Sequence, residues 1–281
     1  MADPTAIPQI FDDTLRHMRR ARARRRMAQS GLSFFLTRCI EDVAERLQDV
    51  TQRFETMVII GPFDVSEALA AMIPADKKPD HIHYAKTMSD APECDAIISL
   101  LALQSENDLP GLMTQMATKL RPNGLMITAI FGGDTLTELR QTLYKTDDEL
   151  LGGLTARVYP MITHSQAAPL LTRAGLNLPV VDMDRFTVRY SGLSRLINDL
   201  RDIGETNTLQ SRSANFVGRD YLTALTQNYA EMFAEEGKLP ASFEILWLTG
   251  WKPHESQQKP LKPGSAKMRL ADALNTRETK L

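Results

Sequence analysis

Residues 120–140 read Leu-Arg-Pro-Asn-Gly-Leu-Met-Ile-Thr-Ala-Ile-Phe-Gly-Gly-Asp-Thr-Leu-Thr-Glu-Leu-Arg. The Pro-Asn-Gly triplet is typical of a turn. The apolar run Leu125–Phe131 has turn residues on both sides, which predicts a buried strand. A helix is predicted from Thr135 to Tyr144, so the stretch forms one turn–strand–helix unit.

The same alternation extends towards the amino terminus. Strands are predicted at Thr56–Gly61, His81–Ala85 and Ala96–Leu101, and helices at Ser66–Met72 and Leu109–Leu120. Strands that alternate with helices predict an α/β fold with a parallel sheet covered on both faces. Two further helices are predicted before this region, one within the first thirty residues and one over Phe34–Val50.

The pattern towards the carboxyl terminus is less regular. Helices are predicted at Gln166–Ala174, Leu193–Ile203 and Tyr221–Phe233. Strands are predicted at Pro179–Asp184 and Phe186–Tyr190, which form two strands or one bent strand, and at Phe243–Trp251. The tail after them is rich in proline and is predicted to be irregular.

The composition is that of a globular protein. Of 281 residues, 43% are apolar and 24% are charged, which excludes wholesale disorder. The longest apolar runs are far shorter than the ~20 residues of a membrane-spanning helix, and no secretory signal is expected. Asp12 and Asp13 are out of place in a mitochondrial presequence. Cys39 and Cys94 are too few for a disulfide framework or a thiolate zinc site, so a cytoplasmic location is predicted.

The net charge of −2 conceals two basic ends. Residues 1–30 carry seven arginines and three aspartates, a net charge of +4, and residues 252–281 also carry +4. Subtracting both ends from the total leaves −10 for the middle of the chain. The basic ends either pack against this acidic body or contact an anionic partner such as a membrane surface, while the acidic body disfavours nucleic acid.

Two further strings identify a family together with residues 120–140. They are Asp199-Leu-Arg-Asp-Ile-Gly-Glu-Thr-Asn207 and Thr249-Gly-Trp-Lys-Pro-His-Glu-Ser-Gln257. The three strings resemble the bacterial relatives of a mitochondrial respiratory complex I assembly factor, whose mitochondrial member is described as a protein arginine hydroxylase. More distantly, the chain resembles the malonyl-carrier-protein methyltransferase of biotin synthesis. The resemblance covers residues from about Phe11 to Leu274.

The resemblance implies a class I S-adenosylmethionine (SAM) methyltransferase fold, which is Rossmann-like. In this family a seven-stranded, mostly parallel sheet has an antiparallel last strand, and a helical lid precedes that strand on the substrate side. For this chain it implies a basic helical arm over residues 1–30, a methyltransferase-like domain over 31–252 with the lid over 191–240, and an extended basic tail over 253–281. The implied partner is a respiratory complex I subunit.

The cofactor motif departs from the family. A SAM-binding sheet needs a glycine-rich turn after its first strand, where the backbone approaches the cofactor. Here the strand and turn read Met57-Val-Ile-Ile-Gly-Pro-Phe-Asp-Val65, so Gly61 is the one remaining cofactor-binding candidate. Phe63 and Val65 stand at the positions of the second and third glycines.

The next elements weaken the cofactor site further. The strand His81–Ala85 ends without the acid that would accept hydrogen bonds from the ribose. Only residues 62–94 separate Gly61 from Asp95, which is too short for the usual helices and strands, so strand three is predicted to be missing or vestigial. Gln104 and Ser105 replace the family's His-Trp pair. These departures predict an eroded site and no bound cofactor, with SAM as the cofactor if the site works.

Other residues remain as candidates for a site. Asp134 follows a strand and is predicted to cap the next helix or to face the crevice. Arg140, beside Glu138, is assigned to a solvated helix face or to that site. Glu205 and Asn207 follow a helix and are either turn residues or, by resemblance, lid residues at the substrate.

Histidines supply two weaker signals. The adjacent His254 and Glu255 suit proton transfer, or they pin the tail. His81 and His83 share one face of a strand, but two imidazoles are too few for a metal site, and no metal is predicted. No residue is assigned a catalytic role.

Three functions follow from these observations. The first is a non-catalytic assembly or protein-binding factor, a pseudoenzyme on a methyltransferase scaffold. The alternative is an active SAM-dependent methyltransferase or protein arginine hydroxylase. The third is a protein that binds anionic surfaces through its arginine-rich helix. Peripheral contact with a membrane would be one such case.

Overall fold

The structure, a computed structural model, describes residues 7–213 and 217–258. Its six strands are β1 (Thr56–Ile60), β2 (His81–Ala85), β3 (Cys94–Leu100), β4 (Leu120–Phe131), β5 (Asn177–Tyr190) and β6 (Leu239–Trp251). They form one sheet in the order β2-β1-β3-β4-β6-β5. The first four strands are parallel, and β6 runs antiparallel to both β4 and β5. The predicted α/β class with an antiparallel last strand is confirmed.

Eight helices surround the sheet in the described residues. They are α1 (Asp13–Ser30), α2 (Phe34–Asp49), α3 (Ser66–Met72), α4 (Leu109–Lys119), α5 (Thr137–Leu151), α6 (His164–Arg173), α7 (Leu193–Asp202) and α8 (Arg219–Phe233). Helices α7 and α8 lie between β5 and β6 along the chain, at the position of the predicted helical lid.

One strand of the seven that the resemblance implies is absent from the described residues. Residues 86–93, between β2 and β3, contain no strand, and β2 pairs with β1 alone, so β2 is an edge strand. The absence matches the short interval that predicted a missing strand three. The side of β2 that strand three would cover is therefore without a strand of the described chain.

The central strand β4 separates two apolar cores because successive side chains of a strand point to opposite faces. Leu125, Ile127 and Phe131 pack on the face covered by α2, α5, α7 and α8. Met126 and Ile130 pack on the opposite face against α4 and α6. The continuous apolar run of β4 is therefore explained by its burial on both faces.

The Pro-Asn-Gly turn interrupts the beginning of β4. Pairing with β3 shifts register between Leu120 and Leu125, and Asn123 adopts a positive φ of 64°. The amide of Asn123 donates to the carbonyl of Lys252, 3.2 Å away. The predicted turn therefore forms an irregular segment within β4, and its hydrogen bond to Lys252 joins β4 to the residues after β6.

Helix α2 packs on the sheet through aromatic rings. Ser33 caps the helix by accepting a hydrogen bond from the amide of Leu36. Phe35 is fully buried, and its ring lies 4.7 Å from that of Phe243 and 5.7 Å from that of Phe131, measured between centroids. These edge-to-face contacts join α2 to the central strands.

No helix within residues 7–213 and 217–258 is both long enough and apolar enough to cross a membrane.

We expect Phe35→Ala to lower the free energy of unfolding by about 3–5 kcal/mol, because it leaves a cavity in the core between α2 and the sheet. The neighbouring Phe34 is 40% exposed, so Phe34→Ala is the matched control and should cost much less. Urea unfolding followed by circular dichroism measures both. Equal losses would contradict the assignment of Phe35 to the core.

Candidate functional site

The four parallel strands end at the same edge of the sheet, called here the carboxyl edge. Residues 61–65, 101–108 and 132–136 follow β1, β3 and β4 at this edge. Ligands of open parallel sheets bind in the crevice outside such an edge. The candidate site therefore consists of these segments and of the helices and turns that cover them.

Gly61, directly after β1, is tightly held. Its amide donates to the carbonyl of Ala85 over 3.2 Å, and its own carbonyl accepts a hydrogen bond from the hydroxyl of Tyr84 over 3.1 Å. A Cβ atom at Gly61 would lie 3.0 Å from Cβ of Ala102. With φ at +149°, the position needs glycine for both its conformation and its space.

The rest of the first turn folds into the core. Phe63 and Val65 are both buried in the apolar cluster that contains α2 and β1. Val65 adopts a φ of −115°, which is ordinary for a β-branched residue. The turn therefore uses side-chain burial where the family pattern has glycines.

The end of β2 contains no acid. Ala85 is buried and Lys86, which follows, is exposed. A carboxylate that could accept hydrogen bonds from a ribose is thus absent from this strand end.

Helix α1 lies over residues 101–108. Arg16 and Arg20 are only 6% and 8% exposed. Arg20 Nη2 donates to the carbonyl of Ala102 over 2.6 Å, and Arg16 Nη1 donates to that of Ser105 over 2.5 Å. Glu106 pairs with both arginines, with Oε2 2.6 Å from Arg16 Nη1 and Oε1 3.1 Å from Arg20 Nη1. We call Arg16, Arg20 and Glu106 the buried ion cluster.

Glu205 adjoins the buried ion cluster and is 7% exposed. The hydroxyl of Tyr159 donates to Glu205 Oε2. Glu205 Oε1 lies 3.7 Å from Arg20 Nη2 and has no hydrogen-bond partner in the part of the chain that the structure describes. Burial raises the pKa of Glu205, an effect that Arg20 and Tyr159 oppose. Burial also raises the pKa of Tyr159 well above its usual value, which keeps this hydroxyl protonated.

A cavity of about 140 Å³ lies beside Glu205, between α5 and α7, and is called here the lid cavity. Its wall is mostly apolar, and its polar lining residues are Thr135, Arg157, Tyr159, Glu205, Thr206 and Asn207. The apolar wall includes Leu139, Leu143, Val158, Met161, Ile197 and Leu200. An apolar cavity with a few polar groups at one side is typical of a site that receives a side chain or a small molecule.

Asn207 closes the turn next to this cavity. Its Nδ2 donates to the carbonyl of Ala156 over 2.8 Å, and its Oδ1 accepts from the amide of Leu209 over 3.0 Å. Asn207 is thus a turn residue whose side chain also lines the lid cavity.

Asp147, on α5, joins α8 to residues 155–157. Its carboxylate is fully buried and accepts hydrogen bonds from Arg157 Nε at 2.8 Å, from the amide of Thr155 at 3.0 Å and from the hydroxyl of Tyr221 at 2.5 Å. These bonds join α5 and α8 to the segment that forms one wall of the lid cavity.

Asp134 does not cap the helix that follows it. Its carboxylate pairs with Arg185 Nη2 over 2.6 Å. Helix α5 begins only after Leu136, which has a φ of 60° and whose amide donates to the carbonyl of Ser242. This bond to β6 delays the start of the helix, so the predicted capping role of Asp134 is wrong.

Arg140 is half-buried, which differs from the predicted solvated face. Its Nη2 lies 3.3 Å from the carbonyls of Gly133 and Thr135 and donates to both. Glu138 likewise binds β6, through the amide and hydroxyl of Ser242. Both side chains therefore hold the turn after β4 in place.

His254 and Glu255 lie at the opposite edge of the sheet. They follow the end of β6, which pairs there with the beginning of β4. Both are exposed, and His254 Nδ1 bonds to the hydroxyl of Ser256. Gln257 pins this segment by donating to Asn123 Oδ1 over 3.1 Å. The pair is thus not part of the carboxyl edge.

His81 and His83 lie on one face of β2, with ring centroids 6.3 Å apart. Across the described ranges, no three His, Cys, Asp or Glu side chains are placed to hold a metal ion.

Several residues of this site were not predicted. Arg16 and Arg20 are spaced i, i+4, which places them on one face of α1 with Ala23, but the spacing does not tell which face is buried. Tyr159 belongs to a stretch without periodicity, and Asp147 has the pattern of an ordinary helix residue. Their partners are distant in the sequence, so only the fold brings them together.

Comparison with known proteins finds no matching family model. The mitochondrial arginine-hydroxylase NDUFAF5 of Danio rerio is 30% identical over 286 residues, which span 94% of this chain and 89% of that protein. Its counterpart in Dictyostelium discoideum is 38% identical over 184 residues, spanning 65% of this chain and 42% of that protein. This chain thus matches less than half the length of the Dictyostelium protein.

Methyltransferases are also similar. The malonyl-[acyl-carrier protein] O-methyltransferase of Xylella fastidiosa is 36% identical over 159 residues, which span 57% of this chain and 52% of that protein. Among solved structures, the YcgJ protein from Bacillus subtilis covers 77% of this chain and is itself covered to 99%, at 9% identity and a TM-score of 0.47.

We expect Glu106→Ala to destabilise the protein by about 2–3 kcal/mol, because it removes the carboxylate that both buried guanidinium groups share. Arg16 then keeps only Asp13, 2.9 Å away, and Arg20 keeps only Glu205, 3.7 Å away, as acidic neighbours in the described residues. Glu235 forms an exposed ion pair with Arg189, so Glu235→Ala is the control and should cost less than about 1 kcal/mol. Urea unfolding at neutral pH measures the difference. Similar losses would show that the buried ion cluster does not hold α1.

A pH series tests the environment of Glu205. Because its pKa is raised above the usual 4.5, the native state binds this proton more tightly than the unfolded chain does. The stability from this proton is present below pH 4.5 and is lost as the pH rises through the raised pKa. Relative to Glu205→Gln, which cannot titrate, the wild type should therefore lose stability as the pH rises from 4.5 through the raised pKa. A constant difference in unfolding free energy would contradict the raised pKa.

Proposed function

The chain belongs to the family of the mitochondrial arginine-hydroxylase NDUFAF5, and we propose that it acts as a protein-binding assembly factor that no longer uses SAM. The family has a methyltransferase-like fold.

The position of Arg16 and Arg20 carries the proposal. At the carboxyl edge of a SAM-binding sheet, backbone groups after the strands must stay available to the cofactor. Here the carbonyls of Ala102 and Ser105 accept hydrogen bonds from the two guanidinium groups, and the carboxylate of Glu106 pairs with both groups. These two carbonyl groups of the crevice are therefore already bonded within the chain and are not available to a cofactor.

The neighbouring positions also fit SAM poorly. The turn after β1 has Gly61 in contact with Ala102, and the side chains of Phe63 and Val65 enter the core. The end of β2 lacks a carboxylate for the ribose, and no third strand lies beside β2 in the described residues. These observations support the loss of the cofactor, and no reaction step through SAM is assigned.

The lid cavity is an open part of the crevice. Its apolar wall suits a side chain inserted by a partner protein, and Asn207 and Arg157 offer polar contacts at its rim. Because Asp147 joins α8 to residues 155–157, this surface is held in one arrangement without a cofactor. We therefore assign partner recognition to the lid cavity, with a respiratory complex I subunit as the partner that the resemblance implies.

A second candidate is hydroxylation of an arginine side chain in that partner. The observation that favours it is Glu205, whose buried Oε1 has no hydrogen-bond partner in the described ranges and lies beside the lid cavity. A carboxylate in this position suits a guanidinium group. Incubation with the partner in the presence of O₂ and a two-electron reductant, followed by mass spectrometry, tests this candidate. One oxygen atom would enter the arginine, and the other would leave as water with the two electrons and two protons that the reductant supplies.

Calorimetric titration with SAM tests the loss of the cofactor. We expect no heat of binding and no thermal shift at millimolar SAM, whereas a bound ligand at 100 times its dissociation constant would add about 2.7 kcal/mol of stability. The malonyl-[acyl-carrier protein] O-methyltransferase of Xylella fastidiosa serves as the positive control. Saturable binding at micromolar SAM would overturn the proposal and restore the methyltransferase alternative.

Filling the lid cavity tests partner recognition. In a host that lacks the native gene, we expect Val158→Phe to fail to restore respiratory complex I activity of the membranes, because the larger side chain occupies the lid cavity. The control is Val180→Phe, at a half-exposed position of β5 far from the cavity, which should restore activity. The variant must remain folded by circular dichroism. Full complementation by folded Val158→Phe would exclude the cavity from partner recognition.

A further inference from the structure

A second group of arginines lies outside the buried ion cluster, in a groove between α1 and α7. The groove is lined by Arg19, Arg22 and Arg26 of α1 and by Arg201 of α7, and encloses about 490 Å³. We call it the arginine groove.

The positive charge of the arginine groove is only partly neutralised. Asp202 pairs with Arg26. Arg19 donates to the hydroxyl of Thr206 over 2.6 Å, which carries no charge. Within residues 7–213 and 217–258, Arg22 and Arg201 have no acidic partner. Three of the four guanidinium groups therefore face one another without a counter-charge.

The pKa of Arg19 is sensitive to this excess of positive charge. Burial lowers the pKa of Arg19, and the charges of Arg212, Arg22 and Arg201 lower it further. Arg212 is itself paired with Asp12, so it adds no free charge to the groove. An anion bound here would relieve the repulsion at Arg19.

The arginine groove is also pre-formed, because contacts within the protein fix the positions of its two walls. Gly204 ends the turn after α7 with a φ of +74°, and a Cβ atom there would lie 3.2 Å from Cα of Arg20. This contact sets the distance between α1 and the end of α7. Arg20 is in turn held by Glu106, so the two walls of the groove are fixed by the buried ion cluster.

We propose that the arginine groove binds a phosphate group. Planar guanidinium groups donate pairs of parallel hydrogen bonds that match phosphate oxygens, and several of them converge on one groove here. A long polyanion such as nucleic acid is disfavoured, because residues 31–251 carry a net charge of −10. The phosphate comes either from a soluble compound or from a phospholipid headgroup.

The test compares two double variants with the same change in net charge. Arg22→Gln with Arg201→Gln removes the two exposed groove arginines, whereas Arg25→Gln with Arg173→Gln removes two exposed arginines outside the groove. All four side chains are exposed, so equal thermal unfolding is expected of both. Inorganic pyrophosphate is titrated by calorimetry at low salt, and vesicles of phosphatidylcholine with phosphatidylglycerol are tested by co-sedimentation.

We expect the wild type and the control variant to bind at least one of the two phosphate probes. The groove variant should bind that probe with an affinity at least roughly tenfold lower, because a charge-assisted hydrogen bond is lost at each of the two positions. Saturable binding of pyrophosphate identifies a soluble ligand, and binding of the charged vesicles alone identifies a headgroup. The proposal is overturned if neither probe binds, if both double variants weaken binding equally, or if a DNA oligonucleotide binds while both phosphate probes do not.

Discussion

The arrangement of this protein depends on the burial of two guanidinium groups. A buried charge is tolerated only where a counter-charge and hydrogen-bond acceptors meet it. The carboxyl edge after β3 supplies both, because Glu106 follows the free carbonyls of Ala102 and Ser105. Helix α1 is therefore fixed by Arg16 and Arg20, although its composition is that of a solvated helix.

The buried ion cluster also fixes the position of the turn after α7. Arg20 lies near Glu205 and contacts Gly204, so the position of α1 sets the position of the turn after α7. Glu205 in turn accepts a hydrogen bond from Tyr159, in the segment that Asp147 ties to α5 and α8. Helix α1, the turn after α7 and helices α5 and α8 thus form one connected network, and the lid cavity and the arginine groove both adjoin it and share Ile197 and Thr206 as lining residues.

Local sequence patterns predicted most of the fold. Apolar runs bounded by turns located the strands, since this signal needs no information about distant residues, and counting residues 62–94 predicted the missing strand three. The site was less predictable. Arg16 meets Glu106 across 90 positions of sequence, and helix α5 starts late because the amide of Leu136 bonds to β6. Neither contact has a local signature, so the helix face of Arg16 and the role of Asp134 were not foreseen correctly.

Under the proposed function the scaffold must be stable without a cofactor, and the internal hydrogen bonds of the carboxyl edge supply a reason. A cofactor site must present backbone groups that have no protein partner until the ligand binds, and buried polar groups without partners destabilise a fold. When Arg16 and Arg20 supply the donors, the carbonyls of Ala102 and Ser105 are satisfied at all times. Under the proposed function, Phe63 and Val65 can then take core positions without loss of stability, whereas Gly61 stays glycine because its conformation and the space beside Ala102 require it. The lid cavity, which is mostly apolar, keeps its shape for recognition.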